Sequence, residues 1–112
     1  MGRTKYLASM AECPTHRLLQ RLGGRWVCLV LKELAAGPLH RGELGRVIAG
    51  ATPKMLTETL RTLERDDLIS RTVHEGVPPR VEYALTPRGA SLMPVIEAAT
   101  EWAERNRLPG AS

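Results

Sequence analysis

The chain contains only two cysteines. It also has no apolar run that approaches the length of about 18 residues needed to cross a membrane. Two cysteines in 112 residues are too few for a disulfide scaffold. The first residues are basic but lack the apolar segment of a secretory signal, so we expect a cytoplasmic protein with no membrane partner. The chain is also too short for a catalytic (β/α)8 barrel or a two-lobed enzyme.

The usual motifs of catalytic and cofactor sites are missing as well. We find no GxxxxGK[ST] loop, no GxGxxG fingerprint and no Ser-His-Asp pattern. The three histidines have no metal-ligand spacing among themselves or with the cysteines. We therefore expect no cofactor, no metal ion and no enzymatic activity.

Apolar residues make up 43% of the chain, which is enough for a folded core. The formal net charge is +4, and it is unevenly distributed. Residues 1–65 hold eleven Lys and Arg against five Asp and Glu, whereas residues 66–112 hold five against seven. A basic first half suits contact with phosphate, although many ordinary domains are equally basic.

We expect one domain at residues 12–106, between a flexible arm at 1–11 and a frayed tail at 107–112. Pro after a capping residue marks a helix start, and Gly or Gly-Pro marks a helix end. These signals predict a first helix from Cys13-Pro14 to Gly23-Gly24, a second from near Arg25 to Gly37-Pro38, and a third from about Arg41 to Ile48.

The fourth helix has the clearest signals. Thr52 is a fitting N-cap and Pro53 a fitting first residue, and the helix is predicted to end near Asp66. At helical spacing, the inner face carries Leu56, Leu60 and Leu63, and the opposite face carries Lys54, Glu58, Arg61 and Arg65. One face is therefore expected to anchor the helix, and the other to be exposed and largely cationic.

After the fourth helix, apolar and polar residues alternate with a period of two, which is typical of β-strands. We predict strands at Leu68–Val73 and Val81–Leu85, joined by seven residues with one Gly and two Pro. Thr86-Pro87 begins a last helix that Pro94 is predicted to kink.

This order of elements is that of an α+β winged helix-turn-helix, mostly helical with a two- to three-stranded wing. A major groove about 12 Å wide admits one helix, which a second helix supports from behind. The hairpin then reaches neighbouring DNA backbone with a basic residue at its tip, here Arg80. Three helices and a hairpin also build modules that bind only protein, so that alternative stays open.

Several motifs resemble the HxlR-type bacterial transcriptional regulators, small relatives of the MarR-like group. They are Cys13-Pro14, Gly23-Gly24-Arg25-Trp26, Leu31-Lys-Glu-Leu34, Gly37-Pro38, Glu43-Leu44, Thr52-Pro-Lys-Met-Leu-Thr57, Leu60-Arg61, Leu63-Glu64, Val77-Pro-Pro-Arg-Val-Glu-Tyr83 and Leu85-Thr86. The resemblance covers roughly residues 12–103. It implies a homodimer that binds operator DNA through a recognition helix at residues 52–57.

One departure concerns the third helix. The family usually has an aromatic residue before Glu43-Leu44, where this chain has His40-Arg41-Gly42 and contains no Phe at all. We therefore expect the third helix to be packed less firmly and Arg41 to be free to meet a phosphate.

The candidate DNA contacts lie on the fourth helix, at the wing and beside both. They are Arg25, Arg41, Thr52, Pro53, Lys54, Thr57, Glu58, Arg61, Arg65 and Arg80. Plainer roles remain open for three groups: Glu58 pairing with the helix arginines, Arg80 pairing with Glu75, and Arg25 as an exposed neighbour of a helix cap.

Cys13 is a candidate redox sensor. A thiol at a helix N-terminus, one turn from Arg17, favours the reactive thiolate. The family resemblance implies that this cysteine senses oxidants or electrophiles in some members, and the alternative is a simple N-cap residue. Cys28 is expected to be inert packing, and Trp26 to belong to the core.

The last helix carries more apolar side chains than one small core needs. With the first helix and the N-terminal arm, we expect it to form a dimer interface through Leu92, Val95, Ile96, Ala99 and Trp102. The function predicted is a homodimeric DNA-binding regulator acting on a pseudo-palindromic operator, with an oxidant or electrophile as its signal. The alternatives are a protein-binding winged-helix module and a small thiol enzyme built on Cys13.

Overall fold

The computed structural model describes residues 13–109. The predicted N-terminal arm at 1–11 and the last three residues of the predicted tail lie outside this range. The described part contains five helices and a three-stranded sheet. In chain order these are α1 (Pro14–Leu22), α2 (Val27–Ala35), β1 (Leu39–His40), α3 (Arg41–Val47), α4 (Pro53–Arg65), β2 (Ile69–His74), β3 (Arg80–Leu85) and α5 (Pro87–Arg105).

The core lies between α2, α4 and the sheet. Helix α2 contributes Val30 and Leu31, both 0% exposed, as expected of a helix that is apolar on most sides. Helix α3 contributes Leu44 and Ile48 at its end, so it is well anchored without an aromatic residue. The remaining buried apolar residues are Val27, Leu34, Leu56, Leu60, Leu63, Leu68, Ile69, Tyr83, Met93 and Ile96.

The sheet is antiparallel with the order β1-β3-β2, so β3 is central. Leu39 and His40 of β1 pair with Tyr83 and Glu82 of β3. The other edge pairs His74 with Arg80 at the far end of the wing hairpin. The sequence analysis did not identify β1, because two residues are too few to show a strand period.

Helix α5 begins where Thr86 accepts a hydrogen bond from the Gly89 backbone N–H at 3.0 Å, and the helix continues past Pro94 to Arg105. The expectation that Ile96 lies in a dimer interface needs correction. Ile96 is only 2% exposed, because it packs into the core of its own chain, and Leu92 is partly buried against the same core. Val95, Ala99 and Trp102 are exposed.

Within residues 13–109, no helix has the length and apolar character needed to cross a membrane.

Candidate nucleic-acid interface

Helix α4 presents the surface that the sequence predicted. Its N-cap is Thr52, whose hydroxyl accepts a hydrogen bond from the Met55 N–H at 3.1 Å, and Pro53 is its first residue. Leu56, Leu60 and Leu63 on the inner face are 1–2% exposed. The outer face, with Lys54, Glu58, Arg61 and Arg65, is exposed along the whole helix.

The cations of this face are not neutralised by neighbouring carboxylates. The ion pairs within residues 13–109 join Arg21 to Asp66, His40 to Glu43, and His74 to Glu82. None of these uses Lys54, Arg61 or Arg65, and Glu58 is not in a pair either. The alternative of a self-paired helix surface is therefore not supported by the described contacts.

The two ends of this face have different surroundings. Lys54 lies in the first turn, and Arg65 lies about 16 Å further along the helix axis. Arg65 borders a cleft with residues of α1 and the start of α5, such as Arg17 and Arg88. Lys54 and Arg65 therefore lie at opposite ends of the outer face of α4, and Arg65 is the one nearer to α1 and α5.

Arg41 differs from the expectation of a free side chain. Its Nη2 atom donates hydrogen bonds to the Pro53 carbonyl at 3.2 Å and to the Thr57 hydroxyl at 3.3 Å. The start of α3 is thereby tied to the first two turns of α4. The same end of α3 is capped locally, since His40 is its N-cap and the His40 backbone N–H donates to the Glu43 carboxylate at 2.8 Å. Arg41 is still cationic, but it is held in place.

The wing contains Arg80 at the first residue of β3, beside the turn and not at its tip. The outermost apolar side chain is that of Val77, which is fully exposed. The Arg80 guanidinium lies 3.3 Å from His40 Nε2, so its described partner is on β1 and is not the Glu75 carboxylate that the sequence suggested. Arg80 thus lies between the wing and the start of α3.

Arg25 is exposed, and its guanidinium lies 5.2 Å from the centre of the Trp26 ring, a distance typical of a cation–π contact. Trp26 is partly buried against the core, in keeping with its predicted structural role. A side chain at Gly50 would lie 3.3 Å from this ring. Trp26 therefore packs on the turn between α3 and α4, close to the start of α4.

The sequence analysis missed Arg46. This residue borders a surface depression of about 350 Å3 with His40, Arg41 and Arg80. Arg46 is exposed at the end of α3, and its cationic neighbours come from β3 as well as from α3. No local pattern brings these segments together, because they are more than thirty residues apart and meet through the packing of both β1 and α3 against β3.

Cys13 is the exposed N-cap of α1, and its carbonyl accepts the first helical hydrogen bond from the Arg17 N–H. Hydrogen bonds from the backbone of His16, and then of Thr15, hold the pKa of the Cys13 thiol below its ordinary value. The thiol pKa is therefore lowered as expected, but the cause is hydrogen bonding from the neighbouring backbone and not the charge of Arg17. Cys28 is partly buried, with its sulfur 3.9 Å from the Leu22 carbonyl.

Comparison with known proteins gives consistent matches over most of the chain. The family model HxlR-like helix-turn-helix matches residues 21–110. An uncharacterized HTH-type transcriptional regulator of Methanothermobacter thermautotrophicus is 44% identical over 102 residues, which are 91% of this chain and 74% of the relative.

Two solved structures have the same fold. The redox regulator HypR in its oxidized form has a TM-score of 0.77 and 38% identity, covering 86% of this chain and 99% of HypR. The reduced form of the transcriptional regulator YodB from Bacillus subtilis has a TM-score of 0.78 and 33% identity, covering 88% of this chain and 98% of YodB. The α+β winged helix-turn-helix prediction is confirmed, and this chain belongs to the HxlR-like helix-turn-helix family of transcriptional regulators.

Proposed function

We propose that the protein acts in the cytoplasm as a homodimer that binds a pseudo-palindromic DNA operator and thereby regulates transcription. The observation that carries the proposal is the two-sided character of α4, whose leucines are buried while Lys54 and Arg61 are exposed and unpaired among the described residues. A helix of this kind fits a major groove about 12 Å wide. The HTH-type relatives support the same function.

A second copy of the chain completes the molecule. Helix α1 buries none of its residues within one chain, and Leu19 is 60% exposed. On α5, Val95 is 47% and Trp102 is 51% exposed. An apolar surface shared by two helices is typical of a subunit interface, and a two-fold axis places the same surface on both copies.

The proposal is tested by selecting fragments of genomic DNA that the protein retains, and then footprinting the protein on the best fragment. Two recognition helices related by a two-fold axis require two half-sites about 34–36 Å apart, or a multiple of that spacing. We expect a pseudo-palindromic footprint and sedimentation of a dimer on the DNA. A monomer on a single asymmetric half-site would contradict the proposal, and failure to retain any DNA would favour a module that binds protein.

Cys13 is the proposed switch. Its exposure and a thiol pKa below the ordinary value favour oxidation, and the structural relatives include a redox regulator. In one form of the switch, two Cys13 thiols each lose a proton and together give two electrons to an oxidant, and a disulfide bridge forms between the subunits. Such a bridge requires the two Cα atoms to lie within about 7 Å of each other. A sulfenic acid or an electrophile adduct on each thiol is the other product. Either product changes the angle between subunits, and hence the spacing of the recognition helices.

This switch is tested with the Cys13→Ser and Cys28→Ser variants. DNA binding by the wild type and by Cys28→Ser is expected to respond to diamide or to a quinone, and binding by Cys13→Ser is expected not to respond. If Cys13→Ser responds like the wild type, Cys13 is only an N-cap residue.

A further inference from the structure

The guanidinium of Arg41 lies between α3 and α4. One nitrogen, Nη2, makes both hydrogen bonds to α4, and the other terminal nitrogen would lie 3.5 Å from a side chain built at Gly45. The guanidinium therefore reaches from the start of α3 to the first two turns of α4 and also passes close to Gly45. No ion pair among the described residues involves Arg41, so none of their carboxylates neutralises its charge.

Thr57 lies on the surface that faces outwards from α4. It comes three residues after Lys54 and four before Arg61, and residues at these spacings are neighbours on one helix face. Its side chain is partly buried and borders a surface depression of about 350 Å3 that also contains Arg61 and Arg71. Thr57 therefore lies at the surface from which a ligand would approach the cationic face.

A threonine hydroxyl has one hydrogen to donate and two lone pairs that accept. Arg41 donates to the oxygen, so one lone pair is occupied by a cationic donor. Hydrogen bonds in a chain polarise one another, so this contact makes the hydroxyl hydrogen a better donor and the oxygen a poorer acceptor.

We propose that Arg41 is a positioning residue that makes Thr57 a hydrogen-bond donor to a base edge and so sets sequence preference at one operator position. This inference rests on the proposed DNA-binding function. In the major groove, guanine offers N7 and O6, adenine offers N7, and thymine offers O4 as acceptors, whereas cytosine offers only its amino donor. Thr57 therefore selects against cytosine at the base that it contacts.

The test compares DNA fragments selected from a random library by the wild type and by Arg41→Ala, Thr57→Val and the double variant. At one position of each half-site, the wild type is expected to bind fragments with cytosine about three- to tenfold more weakly than fragments with another base. This is the difference in affinity that one neutral hydrogen bond makes. Arg41→Ala and Thr57→Val lose this preference at the same position, and the double variant loses no more. Thr57→Ser, which keeps the hydroxyl, retains it.

Arg46→Ala is the matched control, because it removes a neighbouring α3 cation that has no described contact with Thr57. It is expected to weaken binding to all sequences alike and to leave the preference unchanged. Thermal melting of each variant verifies that it is folded. The inference is overturned if Arg41→Ala keeps the preference that Thr57→Val loses, or if the two variants act at different positions. A folded wild type that selects no DNA overturns the proposed function, and this inference with it.

Discussion

Gly89 lies where the first turn of α5 passes against the carbonyl group of Leu68, and a side chain built there would overlap that oxygen. Gly89→Ala is therefore expected to shift the helix or the strand end, with a loss of about 1–3 kcal/mol in the free energy of unfolding. Urea denaturation followed by circular dichroism measures this loss.

Gly42 is the matched control, since it is helical and nothing lies within 4 Å of a side chain built there. Gly42→Ala is expected to raise the free energy of unfolding by about 0.4–1 kcal/mol, because alanine restricts the unfolded chain. Equal effects of the two substitutions would contradict the close packing of α5 against Leu68.

The lowered pKa of Cys13 predicts how its alkylation depends on pH. Thiolate is the reactive form. Because the pKa of Cys13 lies below the ordinary value, thiolate persists at pH values at which free cysteine is already protonated. The rate of iodoacetamide labelling at Cys13, measured in Cys28→Ser by mass spectrometry, is expected to reach half its maximum at a lower pH than for free cysteine. A midpoint equal to that of free cysteine would remove the basis for a reactive thiol.

Single residues show what the sequence could and could not predict. Thr52 and Cys13 were predicted as N-caps because capping depends on neighbours three or four residues away. Arg41 was predicted to be free, whereas it binds residues of α4 that are 12 and 16 positions further along the chain. Ile96 was assigned to an interface because periodicity identifies an apolar face but does not say which part of it the chain's own core covers.

At the scale of elements, the exposed end of α5 predicts a specific loss of association. Trp102 is half exposed in one chain, so Trp102→Ala is expected to leave folding of the subunit largely intact. A central interface tryptophan is worth about 2 kcal/mol or more, which weakens the dimer about thirtyfold. Sedimentation velocity over a dilution series measures the dissociation constant.

Val77→Ala is the control for that measurement, because Val77 is an equally apolar but fully exposed residue of the wing. It is expected to leave the dimer unchanged. A Trp102→Ala variant that stays dimeric at the same dilution as wild type would place Trp102 outside the interface.

The wing predicts a salt effect. If Arg80 neutralises a phosphate, Arg80→Ala weakens binding to all sequences alike and lowers the slope of log K against log salt by about one. Fluorescence anisotropy at several salt concentrations measures the slope. Lys32→Ala, which removes an exposed cation from α2, is expected to leave it unchanged. If the slope is unchanged in Arg80→Ala, Arg80 makes no phosphate contact and its role is limited to the contact with His40.

The elements were predicted to different degrees for a physical reason. The five predicted helices begin or end at local signals, and the structure places these ends within about two residues of the prediction. Strand β1 was missed because its existence depends on pairing with Tyr83 and Glu82, more than forty residues away. The placement of Arg46 beside Arg80 depends on the same pairing, so it was missed too.

At the scale of the whole molecule, helices α1 and α5 lie at the ends of the described chain sequence and both leave apolar side chains exposed. Helices α1 and α5 border the cationic face of α4 at its Arg65 end, whereas Lys54 lies at the opposite end of α4. In the proposed dimer, the apolar surface of α1 and α5 joins the two copies, and the start of α4 stays open to DNA. The arrangement of both surfaces follows from tertiary packing, which sequence periodicity does not specify.

The most direct test of this account measures how tightly the Lys54→Ala/Arg61→Ala double variant binds the selected operator fragment. Fluorescence anisotropy gives its affinity, and a Lys32→Ala/Arg105→Ala double variant serves as the control. Both variants remove two exposed cations, but only the first removes them from α4. We predict that affinity falls at least about thirtyfold, or about 2 kcal/mol, for the first variant, and far less for the control. Equal affinity of the two variants would contradict the assignment of α4 as the DNA-reading helix.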